Sequence, residues 1–186
     1  MNRSVKITSP DAHGLHSAAA LQVEDMRLGP RDWVPNNPDL PVLIYRNAVS
    51  GGDLAALFEQ TFAQNGWQGI WRNGIFDYQH YHTGAHEVLG IAQGRARVQI
   101  GGPQGPEINV CAGDCLILPA GTGHKRIEAS RDFLVVGAYP AGQDADIQTQ
   151  AASPEQRETI ARLALPSIDP LQGGDGPLLR YWRRER

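Results

Sequence analysis

Three histidines and a glutamate crowd into eight consecutive positions of the chain: His80, His82, His86 and Glu87. Imidazole and carboxylate together are the donor set of Fe(II), Mn(II), Ni, Co and Zn sites. His80 and His82 stand two residues apart. In a strand, residues at that spacing project from one face about 7 Å apart. From there two imidazoles converge on one ion at about 2.0–2.1 Å. Thr83-Gly84-Ala85 reads as a reversal that brings Glu87 alongside on the next strand. One carboxylate among neutral imidazoles leaves a bound divalent ion with net positive charge. Alternation that turns Glu87 inward turns His86 outward, to the surface. Periodicity alone leaves the same histidines equally consistent with a surface loop.

Ligands need rigid elements to hold them. Short strand-like segments punctuated by turns fall at 42–45, 69–72, 76–82, 86–92, 95–100, 107–111, 114–118, 124–129 and 132–139. Arg95-Ala96-Arg97-Val98-Gln99-Ile100 alternates polar and apolar residues, as a half-buried strand does. Gly101-Gly102-Pro103 and Ala112-Gly113-Asp114 are turns. Strands at this spacing indicate an antiparallel sandwich or barrel. Leu54, Leu57, Phe58 and Phe62 recur at helical spacing, with Ser50 or Asp53 to cap the start and Asn65-Gly66 to end the helix. Ser153-Pro154-Glu155-Gln156 opens a second helix through a capping box, with Ile160 and Leu163 turned inward. Residues 24–41, rich in Pro, Asn and Asp, read as an extended arm.

Composition fits one globular domain: 186 residues, 41% hydrophobic and 20% charged, with 21 glycines and 13 prolines to make turns. The partition is 1–23 weakly ordered, 24–66 arm, strand and helix, 67–140 barrel core, and 141–186 C-terminal helix and tail. A net charge of −3 gives no broad electropositive surface, so nucleic acid is excluded as a partner. The basic run Arg180–Arg186 reads as a tail docked through Tyr181 and Trp182. Asp11, His13 and His16 read as a surface tail. No segment has the length of a membrane span and no signal core opens the chain. A cytoplasmic protein with reduced thiols is expected, Cys111 and Cys115 being small buried hydrophobes either side of a turn.

A second segment makes the histidine cluster specific. Gly113, Pro119, Gly121 and His124 follow the first cluster at fixed spacing. Together with Gly74, His80, His82, Glu87 and Gly94 they resemble the paired signature motifs of the cupin superfamily. The first motif is Gly, five residues, His-x-His, three or four residues, Glu, six residues, Gly. The second is Gly, five residues, Pro-x-Gly, two residues, His, three residues, Asn. Only Glu128 departs, standing where the family usually carries Asn. Segments 36–46 and 136–140 further resemble a group of bacterial single-domain cupins with no assigned reaction.

The resemblance implies an all-β fold, a double-stranded β-helix (jelly-roll) barrel with a few flanking helices. It implies one divalent metal ion (Fe, Mn, Ni, Co or Zn) held by His80, His82, Glu87 and His124. Alternation from these ligands places Phe76 and Tyr78 on the face of His80 and His82, and Leu89 and Ile91 on that of Glu87. Glu128 falls on His124's face as a hydrogen-bond partner, fifth ligand or general base. Arg126 lies between them, either paired with an acid such as Glu128 or facing an anionic ligand. Phe76, Tyr78 and Arg126 are thus candidate substrate contacts, and Tyr78 and Glu128 candidate catalytic groups. The function expected is that of an enzyme acting on a small organic molecule, of oxygenase, isomerase or lyase type. The alternative is a non-catalytic module for a small ligand or metal. A homodimer is expected, the arm of residues 24–41 suiting strand exchange.

Overall fold

The computed structural model describes residue 14 and residues 21–183. The early tail with Asp11, His13 and His16, and the last arginines, lie outside these residues. Nine strands follow in chain order: β1 (Gln22–Met26), β2 (Val42–Arg46), β3 (Gln68–Asn73), β4 (Glu87–Gln93), β5 (Arg95–Ile100), β6 (Glu107–Cys111), β7 (Cys115–Leu118), β8 (His124–Ala129) and β9 (Leu134–Tyr139). Helix α1 (Leu54–Gln64) lies between β2 and β3, and α2 (Pro154–Arg162) and α3 (Leu178–Tyr181) follow β9. All ladders between strands are antiparallel. One sheet has the order β1-β2-β7-β4-β9-β3 and the other β6-β5-β8. The protein is therefore an all-β, double-sheet barrel with a few flanking helices. Among the described residues no helix is long and apolar enough to cross a membrane.

Side-chain alternation sorts the core into layers. Ala96, Val98 and Ile100 of β5 meet Leu89 and Ile91 of β4, Leu116 and Leu118 of β7 and Val135 of β9 between the sheets. The opposite face of the larger sheet is also covered, which is why every residue of β4 but the last is buried. There Phe58 and Phe62 of α1 pack on Val88, Ala92 and Val136, together with Leu171, Leu178 and Trp182 from the end of the chain. The two layers come so close that a Cβ at Gly90 would lie 2.5 Å from the Phe58 ring.

The helix caps follow the sequence. Asp53 accepts from Ala56 N at the start of α1, and Ser153 with Gln156 forms a capping box on α2. The tail docks as α3, with Trp182 Nε1 donating to Pro41 O at 2.8 Å. Two expectations need correction. Segment 76–82 is not a strand; it makes only isolated bridges, His80 to His124 at the start of β8 and Tyr81 to Gln148 beyond β9. Both thiols are free, but Cys111 is exposed and only Cys115 is buried, because alternation along β6 sends Val110 inward and Cys111 out.

Candidate metal centre

The site forms where two turns meet at one end of the barrel. His80 and His124 exchange backbone hydrogen bonds, and Gly121 N donates to His82 O at 2.7 Å. These bonds clamp the first histidine segment to the Pro119–Gly123 turn. Glu87 opens β4 and is fixed by its pairing with Leu118. All four side chains are buried. Donor atoms of His80, His82 and His124 lie within 4.8 Å of one another. Glu87 Oε2 sits 3.3 Å from His82 Nε2 and 3.3 Å from His124 Nε2.

The far side of each imidazole is already used. His80 Nδ1 faces Tyr78 O at 3.2 Å, His124 Nδ1 faces Thr122 O at 3.0 Å, and His82 Nδ1 faces Asp146 O. A carbonyl only accepts, so each Nδ1 carries a proton and each Nε2 is left for the centre. This is how metal-ligating histidines are oriented. At the centre, His82 Nε2 and Glu87 Oε2 are buried, and although they lie 3.3 Å apart neither makes an aligned hydrogen bond among the described residues. Buried polar atoms are rarely left so, and a divalent ion satisfies both. The residues present thus fit a divalent metal.

Charge follows the same geometry. Burial opposes a proton on His82, but the Glu87 carboxylate overrides it and raises the imidazole pKa to about 9. Burial likewise opposes ionisation of Glu87, but His82 and His124 hold it below the usual carboxylate range. Burial, with His124 beside it, pushes His80 down to about 3. In the metal-free protein, then, the charge that balances Glu87 is a proton on His82. Metal binding must displace that proton.

Above the donors is a cavity of about 170 Å³. Trp71, Ile75, Phe76, Leu89 and Ile147 give it apolar walls, and Asn73 and Tyr139 add polar groups. Tyr139 was not singled out in the sequence. The register Val88 to Ala138, carried one residue further, sets it opposite Glu87. Its hydroxyl accepts from Trp71 Nε1 at 2.9 Å; burial and the Glu87 charge push its pKa up to about 12. The signal was present, since Val135, Gly137 and Tyr139 share one face of β9. Gly137 is needed there because a Cβ would lie 2.1 Å from the Trp71 indole.

Other expected neighbours fall elsewhere. Glu128 is not on His124's face. A register shift along the β5–β8 ladder lets Val98 pair with Arg126 and Arg97 with Glu128, so Ile127 is the extra residue. This bulge turns Glu128 outward, where it meets Arg97 at 3.4 Å with its side chain 69% exposed. Glu128→Ala should leave metal content unchanged and, as an exposed pair, cost no more than about 1 kcal/mol; metal loss in that variant would overturn this placement. Arg126 does not line the cavity; of its two expected roles it takes the pairing with an acid, which is Asp77 at 4.0 Å and not Glu128. Tyr78 stacks on Phe76 at 4.9 Å and is exposed at the rim, outside the cavity lining. His86 does point away from the metal side, but it is fully buried rather than on the surface. The C-terminal segment covers it: its ring lies 4.8 Å from that of Trp182, and its Nδ1 accepts from Ala120 N.

No protein-family model matches the chain. It is 40% identical over 153 residues to the uncharacterized protein YjlB of Bacillus subtilis, across 80% of this chain and 90% of that protein. Solved structures similar to it include acireductone dioxygenase from Bacillus anthracis, at 18% identity and TM-score 0.37 over 47% of this chain and 62% of that one. Another is a double-stranded β-helix protein from Klebsiella pneumoniae, at 15% identity and TM-score 0.36 over 80% of this chain and 100% of that one. A third is an oxalate decarboxylase variant from Bacillus subtilis, at 17% identity and TM-score 0.35 over 64% of this chain and 30% of that one. The chain thus spans less than two thirds of the dioxygenase and of the decarboxylase. Scores of this size add no weight to a fold that its own sheets and paired motifs define. With its double-sheet barrel carrying motifs that resemble those of the cupin superfamily, and with its match to YjlB, the chain belongs to one family with that Bacillus subtilis protein.

Proposed function

We propose that the chain is a metal-dependent enzyme acting on a small organic molecule at a divalent ion held by His80, His82, Glu87 and His124. The reaction is of oxygenase, isomerase or lyase type. The observation that supports it most is the convergence of donors around Glu87 Oε2, with the Nδ1 of His80, His82 and His124 each committed to a backbone carbonyl. A divalent ion held there would supply Lewis-acid polarisation of a ligand oxygen or activation of O₂.

The chain's own residues do the rest. Trp71, Ile75, Leu89 and Ile147 exclude water and hold an apolar body. Phe76, with Tyr78 stacked on it, forms the rim that a substrate meets on entry. No lysine or arginine lines the cavity among the described residues. An anionic substrate group is therefore drawn by the net positive charge of the metal site, not by Arg126. Tyr139 is the hydroxyl beside Glu87 that can hydrogen-bond a substrate oxygen, a place neither Tyr78 nor Glu128 occupies. Tyr139→Phe is expected to keep its metal and lose roughly 100-fold in turnover, the scale of one preorganised donor; equal kcat at equal metal content would remove this role.

Metal content by mass spectrometry, beside a His82→Ala/Glu87→Ala variant, tests the centre. Near-stoichiometric metal in the wild type and none in the variant is the expected result. If X-ray absorption then shows an ion with no exchangeable position, a non-catalytic module replaces the enzyme. The reading includes a cytoplasmic location and a homodimer. The arm lies on its own barrel, with Asn36 bonded to Gly29, Gly101 and Gly123, so copies would pair along the free edge of β1. Light scattering that reports a monomer removes that part.

A further inference from the structure

Residues 143–148, beyond the two motifs, are hydrogen-bonded to residues 81–86 through Gln143, Asp146 and Gln148. Gln148 and Tyr81 exchange backbone hydrogen bonds of 2.9 and 3.0 Å. Gln143 Oε1 accepts from His86 N at 2.9 Å, and its amide donates to Ala164 O at 2.7 Å. Asp146 lies at the middle. Its Oδ1 accepts from Thr83 N at 2.7 Å and Gly84 N at 3.0 Å. Its Oδ2 accepts from Thr83 Oγ1 at 2.6 Å and Gln148 Nε2 at 2.7 Å. Its backbone carbonyl takes His82 Nδ1. Contact is close enough that a Cβ at Gly84 would lie 2.5 Å from Asp144 O. The residues flanking Asp146, Ala145 and Ile147, line the cavity.

We infer that Asp146 is the positioning residue of the metal centre: its carboxylate anchors the 143–148 strap to the Thr83-Gly84 turn, and the anchored strap presents the carbonyl that orients His82. The inference rests on the proposed metal site and extends it to a residue outside both motifs. Without the carboxylate, four donors on the turn and strap lose their acceptor. The carbonyl of residue 146 is then placed only from the ends of the strap, by Gln143 on His86 and Gln148 on Tyr81. His80 and His124 do not share this dependence, because their carbonyl partners, Tyr78 and Thr122, lie two residues away in the same segment. His82 is the ligand oriented from a distant part of the chain.

The test loads the full-length protein with Co(II) and follows transfer to a chromophoric chelator. Asp146→Ala is expected to release Co(II) 10–100-fold faster than wild type, the scale of losing a group that orients a ligand. Its visible Co(II) bands should change, which simple destabilisation away from the site would not cause. Asp146→Asn keeps an acceptor for Thr83 N and Gly84 N and should restore release to within a few fold of wild type. If Asp146→Ala does not fold, Thr83→Val, which removes the Oγ1 contact alone, should show a smaller acceleration with the same spectral change. Wild-type release and an unchanged spectrum in the folded variant would overturn the inference. If the wild type takes up no Co(II), the metal reading fails instead, and amide exchange in the metal-free protein decides the positioning role. Faster exchange over 81–84 in Asp146→Ala supports it, and unchanged exchange overturns it.

Discussion

Saturating Co(II) or Zn(II) should raise the melting temperature of the wild-type chain by about 10 °C, and Glu87→Gln should abolish the rise. A ligand at about 1,000 times its dissociation constant stabilises the folded state by about 4 kcal/mol. In a domain of this size each kcal/mol moves the midpoint by roughly 2–4 °C. Glu87 is the right residue to change because it is the single carboxylate among the four donors and lies 3.3 Å from two of them. Glutamine keeps the volume and removes the charge that attracts the ion. The metal-free proteins should differ too, in a way that fixes the sign. His82 has a folded pKa raised to about 9 from an ordinary 6.5. The stabilisation this gives is complete below about pH 6.5 and is lost as pH rises through about 9. Metal-free wild type should therefore lose stability across that window, and Glu87→Gln, lacking the carboxylate that holds the proton, should not. A melting temperature indifferent to both metal and Glu87 would sink the four-donor centre.

The barrel and the convergence of donors were legible because both depend on local spacing. His-x-His, the interval to Glu87 and the Pro-x-Gly turn before His124 are short-range patterns, and the strands announce themselves by alternation between Gly-rich turns. The fixed period of two also explains the failures. One extra residue at Ile127 reverses every face beyond it, so Glu128 leaves the side on which His124 starts, and a bulge leaves no mark in the sequence of β8. His86 pointed away from the metal as alternation requires. What covered it was Trp182, nearly a hundred residues on, which no local pattern could bring there. Asp146 is hidden for the same reason: its carboxylate meets a turn 62 and 63 positions earlier. Tyr139 is the case where the signal was sufficient, since alternation along the closing strand leads straight to it.

Asp169→Ala is expected to destabilise the protein by about 4 kcal/mol, because it removes the carboxylate at the centre of a buried cluster of donors. Asp169 is fully buried beneath the C-terminal segment. Its Oδ2 accepts from Tyr45 Oη at 2.6 Å and Leu178 N at 3.0 Å, and its Oδ1 from Leu171 N at 2.9 Å and Gln172 N at 3.0 Å. Gly176 is required above it, since a Cβ there would lie 2.1 Å from the Asp169 side chain. Asp169→Asn should cost less than alanine: its Oδ1 can keep Leu171 N and Gln172 N, and its NH₂ then faces Leu178 N and Tyr45 Oη, of which the hydroxyl can accept. Tyr45→Phe removes one donor and leaves the carboxylate three, so about 1–2 kcal/mol is expected. Thermal melts should place Asp169→Ala about 12 °C below wild type and Tyr45→Phe about 4 °C below. Tyr45 and Asp169 act on the outer layer of the larger sheet, whereas the metal donors act at the end of the barrel and Glu87 is held there by β7. The increment from bound metal should therefore survive in Asp169→Ala at close to its wild-type size, as additivity requires of independent sites. An increment lost in that variant would mean that the cover over His86, one residue from Glu87, sets the metal site as firmly as the motifs do.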